Sequence, residues 1–422
     1  MSHQAINIGI IGVNGFGAVH LKQVRALAEA GAVKLVAVSD LRIDEEKQAE
    51  LQAEGAVLYS DYKAMLAEER SMQLVIVSTP IHLHAGMGID VMEAGYDLLL
   101  EKPPAATIED LDRLIDTMER TGKRCAVNFS SFTHKMRQAM ADWVAAGKLG
   151  EVTAVKGLGL WKRAASYYNR TPWAGKLSVN GRLVLDGTVM NPFSHLLNLL
   201  VQSSVICGAA QRGVSDSTDS GPTQVQAELY HGNTIEGDDT SCIRVMVEGG
   251  PTVSFYATLC SRDGTDTPLM LIEGTAGSIR CEYNKKLELT TAAGETVVVE
   301  TEDVWPYSSN LMNMIRVLRG EESELICPLR ATRRFMLTAN GAFESAGAVR
   351  NVASEHLVKH VNDSGDTSTW IVDIEATLRE AFESCKLLSE FGTPWAEPTS
   401  PFSLEGYRRF QAEKFAIAGQ PN

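Results

Sequence analysis

Long apolar runs are missing from this 422-residue sequence. No stretch approaches the roughly 18–20 apolar residues that a membrane-spanning helix needs. The N-terminus also lacks the charged-then-apolar pattern of a secretory leader. Basic residues are short in supply, 39 against 53 acidic ones for a net charge of −14. That balance gives no general attraction for nucleic acid or an anionic membrane, and no helix-turn-helix pattern or basic patch supports DNA contact. Cysteines number seven, Cys125, Cys207, Cys242, Cys260, Cys281, Cys327 and Cys385. They stand without metal-type spacing, and the nine histidines do not cluster with acids or cysteines at ligand spacing, so no metal is expected. Scattered thiols of this kind fit a reducing, cytoplasmic compartment. Internal repeats and low-complexity tracts are absent too. What remains is an ordinary globular composition, 44% hydrophobic and 22% charged, long enough for two or three domains.

The most informative stretch is Ala5 to Gly17, AINIGIIGVNGFG. Ile6, Ile8, Ile10 and Ile11 form a short β-branched run that glycine stops, which reads as a buried strand. Gly12, Gly15 and Gly17 follow at a G-x-x-G-x-G spacing, with Asn14 and Phe16 between them. A helix over 18–30 comes next, with Val19, Leu21, Val24, Leu27 and Ala28 as its apolar stripe. Strand, glycine turn and helix in that order make a pyrophosphate site. The glycines remove side chains where backbone and phosphate must touch, and the helix N-terminus offers free N–H groups and partial positive charge. A second buried strand over 34–39 ends in Asp40, 23 positions after Gly17. An acid there is placed to hold the ribose hydroxyls of NAD and to repel a 2′-phosphate. Arg42 softens that preference, so NADP stays open beside NAD.

Strand and helix alternate up to about residue 130, which implies a doubly wound parallel sheet with ligands at the carboxyl ends of its strands. Polar groups at those ends are candidates for the nicotinamide side of the site: Ser78, Thr79, Pro80 and His84 after the strand 74–77, Glu101 and Lys102 after 98–100, and Asn128 after 125–127. Each also has a plain reading as a turn, cap or backbone-bonding residue. A lysine at a strand end beside a redox cofactor can donate or accept a proton if its pKa is lowered.

Gly12-x-x-Gly15-x-Gly17, Asp40, Thr79-Pro80 with His84 four residues on, and Glu101-Lys102-Pro103 occur in order at fitting separations. Together they resemble the glucose–fructose oxidoreductase, inositol dehydrogenase and rhizopine-catabolism (Gfo/Idh/MocA) family, firmly in the first domain and loosely in the second. The resemblance implies an α/β Rossmann domain over 1–130. It further implies an α+β substrate and oligomerisation domain over 131–350 with a large, mostly antiparallel open sheet, and a helical C-terminal extension over 351–422 packing on the body. It gives Lys102 contact with both nicotinamide and substrate. It also implies a homodimer or homotetramer formed through the open sheet. The remaining pattern agrees: a connecting helix over 133–146, strands from 152 to 300, a polar loop over 213–221, and helices over 311–318, 331–348, 373–389 and 404–415.

On the substrate side, Trp161 to Lys176 is dense in aromatic and cationic groups, among them Lys162, Arg163, Tyr167, Tyr168, Arg170 and Trp173. Such a stretch suits a hydroxylated or acidic small molecule, and equally a lid or an oligomer contact. In the segment 181–200, His195 and Asn198 share a helix face. Aligned on the family's D-x-G-x-H-x-x-D segment, Asn191 stands on the first acid, Phe193 on the glycine, His195 on the histidine and Asn198 on the last acid. Three of the four positions therefore depart. Asp186 is placed to supply the missing carboxylate if the chain folds back, or to cap the turn at Gly187. Oxidising an alcohol needs a base near the hydroxyl, and His195 can be that base while Lys102 polarises the oxygen. Arg163, Tyr168, Trp173, Asp186 and Asn191 are then the substrate-binding candidates. The resulting reading is an NAD(P)-dependent oxidoreductase acting on a sugar, polyol or related hydroxy compound. The alternatives are an NAD-dependent glycosidase that oxidises C3 transiently, or a non-catalytic dinucleotide sensor.

Overall fold

The computed structural model describes residues 5–129, 133–214, 220–283, 285–300 and 309–415. The chain divides into two compact units: Met1–Ser130 with Asp303–Thr332, and Ser131–Glu302 with Arg333–Asn422.

In the first unit the β-branched runs form β1 (Ile6–Ile11), β2 (Val33–Ser39), β3 (Val57–Tyr59), β4 (Leu74–Val77), β5 (Asp97–Leu100) and β6 (Cys125–Val127). They alternate with α1 (Gly17–Glu29), α2 (Glu45–Ala53), α3 (Tyr62–Glu68), α4 (Ile81–Glu93) and α5 (Ile108–Thr121). The strands pair in parallel in the order β3-β2-β1-β4-β5-β6. The order reverses between β1 and β4, so their carboxyl ends splay apart and open a crevice there. Ile8, Ile10, Leu35, Leu74, Ile76 and Leu99 lie in the core. The same core takes Leu311, Met314 and Ile315 from the later helix Ser309–Leu318.

The second unit carries an eleven-stranded sheet whose main path runs 296–300, 286–291, 277–282, 269–274, 152–162, 252–258, 240–247, 222–231 and 350–351. Most neighbours are antiparallel; Thr252–Thr258 on Val152–Lys162, and Arg350–Asn351 on Pro222–His231, are the parallel pairs. The helix Ser194–Arg212 lies against Val152–Lys162, where Gly159 lets it approach: a Cβ there would come within 2.2 Å of the Phe193 ring. On the sheet's apolar face, Leu158, Leu160, Cys242 and Tyr256 pack with Ile374, Leu378, Ala381 and Phe382 of the helix Ile374–Ser384.

The C-terminal region departs from its expected helices. The helix over 373–389 stops at Ser384, because Cys385 takes a left-handed backbone (φ 55°) and caps it. The stretch 404–415 is not α-helical. Leu404, Tyr407, Phe410 and Phe415 are buried at near-helical spacing, yet they pack as separate anchors, with Phe410 and Phe415 both against Phe343. Just before them, Phe402–Ser403 adds to the strand Pro222–His231. A hairpin of Leu357–Val361 and Thr367–Ile371 was not foreseen. Residues 215–219 of the expected polar loop lie outside the described residues. Among the described residues, no helix is long and apolar enough to cross a membrane.

Candidate active site

The glycine turn after β1 leaves no room for side chains. Gly12 has φ 87°, and a Cβ there would come within 2.2 Å of the Ser78 carbonyl oxygen; at Gly17 it would come within 2.2 Å of the Gly12 carbonyl oxygen. Gly15 also has positive φ (57°), but nothing lies within 4 Å of its Cβ position, so the turn is open on that side. Behind it, α1 begins without a side-chain cap and without an acid in its first turn. The Gly17, Ala18 and Val19 amides bond to the Asn14, Gly15 and Phe16 carbonyls, so the turn is wound tightly onto the helix, and no side chain or acid competes with an anion for the positive end of α1, where a dinucleotide pyrophosphate fits. Phe16, 41% exposed, stands on the same turn.

Asp40 follows the last residue of β2 and reaches back to this turn. Its Oδ2 accepts from the Val13 amide (2.8 Å) and from Asn14 Nδ2 (3.2 Å), and its Oδ1 accepts from the Arg42 amide (3.1 Å). A carboxylate has about four lone-pair directions, so these bonds orient it and leave capacity for ribose hydroxyls. Lys47 Nζ donates to Asn14 Oδ1 at 2.9 Å and adds a cation beside that acid.

At the end of β5 the chemistry is denser. Glu101 is buried, and its Oε1 is 2.7 Å from His20 Nε2 and 2.6 Å from Asn128 Nδ2; its Oε2 accepts from the Lys102 amide at 3.1 Å. Burial pushes this acid up, but the hydrogen bond and charge of His20, the charge of Lys102 and the Asn128 bond outweigh it and hold the carboxyl at about 2. The result is a buried carboxylate immediately before half-buried Lys102. Asn128 Oδ1 in turn accepts from Asn310 Nδ2 at 3.3 Å, so both ends of that amide are spent inside the protein. His84 is also internal: Nδ1 lies 2.7 Å from the Pro103 carbonyl and Nε2 2.6 Å from that of Thr79. Burial lowers its pKa against the pull of those two carbonyls. His84 thus ties the Thr79-Pro80 turn to the Lys102-Pro103 turn, and its ring nitrogens are taken up by the chain.

In the second unit, the strand Val152–Lys162 runs into the short helix Ala165–Asn169. The Arg163 guanidinium lies 4.7 Å from the Trp161 ring and 5.1 Å from the Tyr167 ring. Arg170 lies 3.6 Å from Tyr167 and 5.5 Å from Trp173. Tyr168 turns inward. Burial first, then the nearby Asp239, lifts its phenol well above the usual range. Asp186 does fold back: Oδ1 accepts from Asn191 Nδ2 at 2.8 Å and Oδ2 from the Gly175 amide at 2.6 Å. It therefore clasps the end of the aromatic loop to the segment that leads to His195. Below it, fully buried Asp238 accepts from Thr188 Oγ1, from Ser241 Oγ (2.7 Å) and from the Val189 amide (3.2 Å). His195 sits half-buried in the first turn of Ser194–Arg212, its ring 5.9 Å from that of Tyr283. Asn198, one turn on, is buried.

A family model described as an oxidoreductase family with an NAD-binding Rossmann fold, GFO_IDH_MocA, matches residues 6–129. Residues 6–129 are thus similar to the NAD-binding domain of the Gfo/Idh/MocA oxidoreductases. An uncharacterized oxidoreductase, ORF334 of Rhizobium meliloti, is 31% identical over 153 residues, which cover 36% of this chain and 45% of that protein. The chain thus spans about half the length of that relative. Levoglucosan dehydrogenase of Pseudarthrobacter phenanthrenivorans is 24% identical over 307 residues, 68% of this chain and 76% of that enzyme. Among solved structures, the WlbA dehydrogenase of Bordetella pertussis, in complex with NADH and UDP-GlcNAcA, shares the fold. It has a TM-score of 0.64 at 23% identity, covering 81% of this chain and 96% of that one.

Within the first unit, sequence reading missed His20 and Asn310. His20 had a readable signal, since a polar residue one turn into α1 faces the strand ends. Asn310 had none, because it is brought in from far along the chain. In the second unit Asp238 was missed: it lies in a polar stretch with no motif around it, and only the fold places it under Thr188 and Val189.

Proposed function

We propose that the protein is an NAD-dependent oxidoreductase that moves a hydride between nicotinamide and a carbinol carbon of a sugar, polyol or related hydroxy compound. The observation that carries this reading is the Glu101–Lys102 pair at the end of β5, a buried carboxylate fixed by His20 and Asn128 next to a lysine, in the same unit as a glycine turn fitted to a pyrophosphate. The uncapped start of α1 would hold the pyrophosphate, and Asp40 would hold the adenosine ribose. Asp40 favours NAD; Arg42 and Lys47 are the groups through which NADP would compete. When bound, the nicotinamide supplies the hydride acceptor. Lys102 would polarise the reacting oxygen, and His195 would take the proton that the hydroxyl gives up as its carbon loses hydride. Asn191, fixed by Asp186, with Arg163, Tyr168 and Trp173, would orient the substrate.

The test is Lys102→Ala. Turnover should fall by at least about a hundredfold, the usual contribution of a positioned acid–base group, while NAD affinity by fluorescence titration stays within a few-fold. Normal turnover would remove Lys102 from the mechanism. Release of an aryl group from a glycoside without added cofactor would favour the glycosidase reading instead. None of the seven cysteines is in a disulfide and six are buried, which supports a reducing, cytoplasmic location, testable by cell fractionation. Self-association through the open sheet is proposed for the strands between 269 and 300, since the helix Ile374–Ser384 covers the neighbouring part of one face. Sedimentation would read it.

A further inference from the structure

Arg163 and Arg170 stand together on one aromatic cluster of the second unit. Among the described residues neither Arg163 nor Arg170 forms an ion pair, although the chain carries 53 acids against 39 bases. Their guanidinium groups are placed instead by aromatic rings. Tyr167 has one at 5.1 Å and the other at 3.6 Å, while Trp161 and Trp173 support them at 4.7 and 5.5 Å. Each also gives one N–H to a chain carbonyl, Arg163 to Lys162 (3.0 Å) and Arg170 to Tyr167. Asp186, whose charge reaches the same Tyr167, has its oxygens engaged by the Gly175 amide and the Asn191 side chain.

Two positive groups against one ring repel each other, and stacking on an aromatic face is worth only about 0.5–2 kcal/mol. Stacking does fix the guanidinium plane and leaves its remaining N–H groups pointed edge-on, the geometry that binds a carboxylate bidentately. The loop is also short of acceptors. Arg163 Nε, the Tyr168 hydroxyl and Thr171 Oγ1 are buried without a hydrogen-bond partner. Unmet buried polar atoms of this kind cost about 1–3 kcal/mol each, and Arg163 Nε, on the stacked guanidinium itself, is the one that a bound carboxylate would meet.

We infer that the substrate is an acidic sugar or polyol, its carboxylate held by Arg163 and Arg170 on the Tyr167 face. This rests on the oxidoreductase reading above and narrows its substrate to hydroxy acids. Half-buried Arg163 would make the fixed contact, and exposed Arg170 would close over it.

The experiment uses the full chain saturated with NAD. Glucuronate, galacturonate and gluconate are compared with glucose, galactose and glucitol, by calorimetric binding and by NADH formation. At least one acid should bind at least about tenfold more tightly than its neutral counterpart, with affinity falling as salt rises. Arg163→Gln and Arg170→Gln should abolish that preference, and Arg163→Lys should restore part of it, with NAD affinity unchanged throughout. Equal or better binding of the neutral compounds, absence of binding by every acid, or an acid preference that survives both Gln variants would overturn the inference. A chain that binds no NAD would instead overturn the oxidoreductase reading beneath it.

Discussion

At the residue scale, the first unit is set by how a few buried polar atoms are satisfied. His20 and Glu101 are 1% and 5% exposed and meet at 2.7 Å. Removing His20 leaves buried Glu101 with only the Asn128 side-chain amide and the Lys102 backbone amide, and breaking a buried pair typically costs about 3–5 kcal/mol. His20→Ala should therefore lower the unfolding free energy by that order in denaturant titration, and weaken turnover through the lost orientation of Lys102. Glu101 also sets a pH response. Its folded pKa of about 2 lies below the ordinary 4.5, so the unfolded chain binds the proton first as acid is added. The stabilisation is complete above pH 4.5 and disappears as pH falls toward 2. Glu101→Gln should flatten the loss of stability between those pH values, read by thermal melts at stepped pH. Residue-level legibility was uneven. The glycines, Asp40, Glu101 and Lys102 could be read because their chemistry needs fixed residue types at fixed spacing. Arg163 and Asp186 could be named as polar groups of interest, but not given their geometry, because stacking and a folded-back loop depend on tertiary packing.

At the element scale, the turn between β1 and α1 and the loop before His195 solve different problems. The first excludes side chains by backbone contact. Gly12→Ala would need a left-handed backbone (φ 87°) and would drive a Cβ to 2.2 Å from the Ser78 carbonyl, so NAD affinity should fall by at least about tenfold. Gly31→Ala is the control. It has positive φ (72°) but nothing within 4 Å, so it should cost about 1 kcal/mol of stability and leave NAD binding unchanged. The second loop is braced from the C-terminal hairpin: Asp366 accepts from the Ser166 amide (3.1 Å) and hydroxyl (2.5 Å) at the start of the helix Ala165–Asn169. Asp366→Ala should raise KM several-fold with little change in kcat, because the brace positions the loop and touches no reacting atom. The strands and the alternation of the first domain were legible from β-branched runs and glycine stops. The hairpin over 357–371 was not, since its short, mostly exposed strands carry little apolar pattern.

For the whole molecule, the last seventy or so residues matter more than their sequence suggests. The helix Ile374–Ser384 buries Ile374, Leu378, Ala381 and Phe382 on the sheet. Leu378→Ala should cost about 2–5 kcal/mol, as for other core leucines, and should lower the melting temperature of the full chain. Glu228, buried in the sheet, receives the Ser389 hydroxyl (2.5 Å) and amide, and Arg244 pairs with Glu390 at 2.6 Å, so the segment after this helix is fastened by polar contacts as well. The expected helix over 404–415 came from its aromatic spacing, because anchors three residues apart look alike in either state.

The split of the first unit has a consequence for how the protein is made. Its six strands are complete by Val127, yet Leu311, Met314 and Ile315 of its core come from a helix that begins at Ser309. On the ribosome, at roughly 5–20 residues per second, the nascent Rossmann sheet waits about ten seconds or more with one apolar wall open. The second unit waits longer, for Phe402 to complete its sheet edge. Each unit therefore closes only long after its first strands have emerged, and apolar surface stays uncovered on the growing chain in that interval.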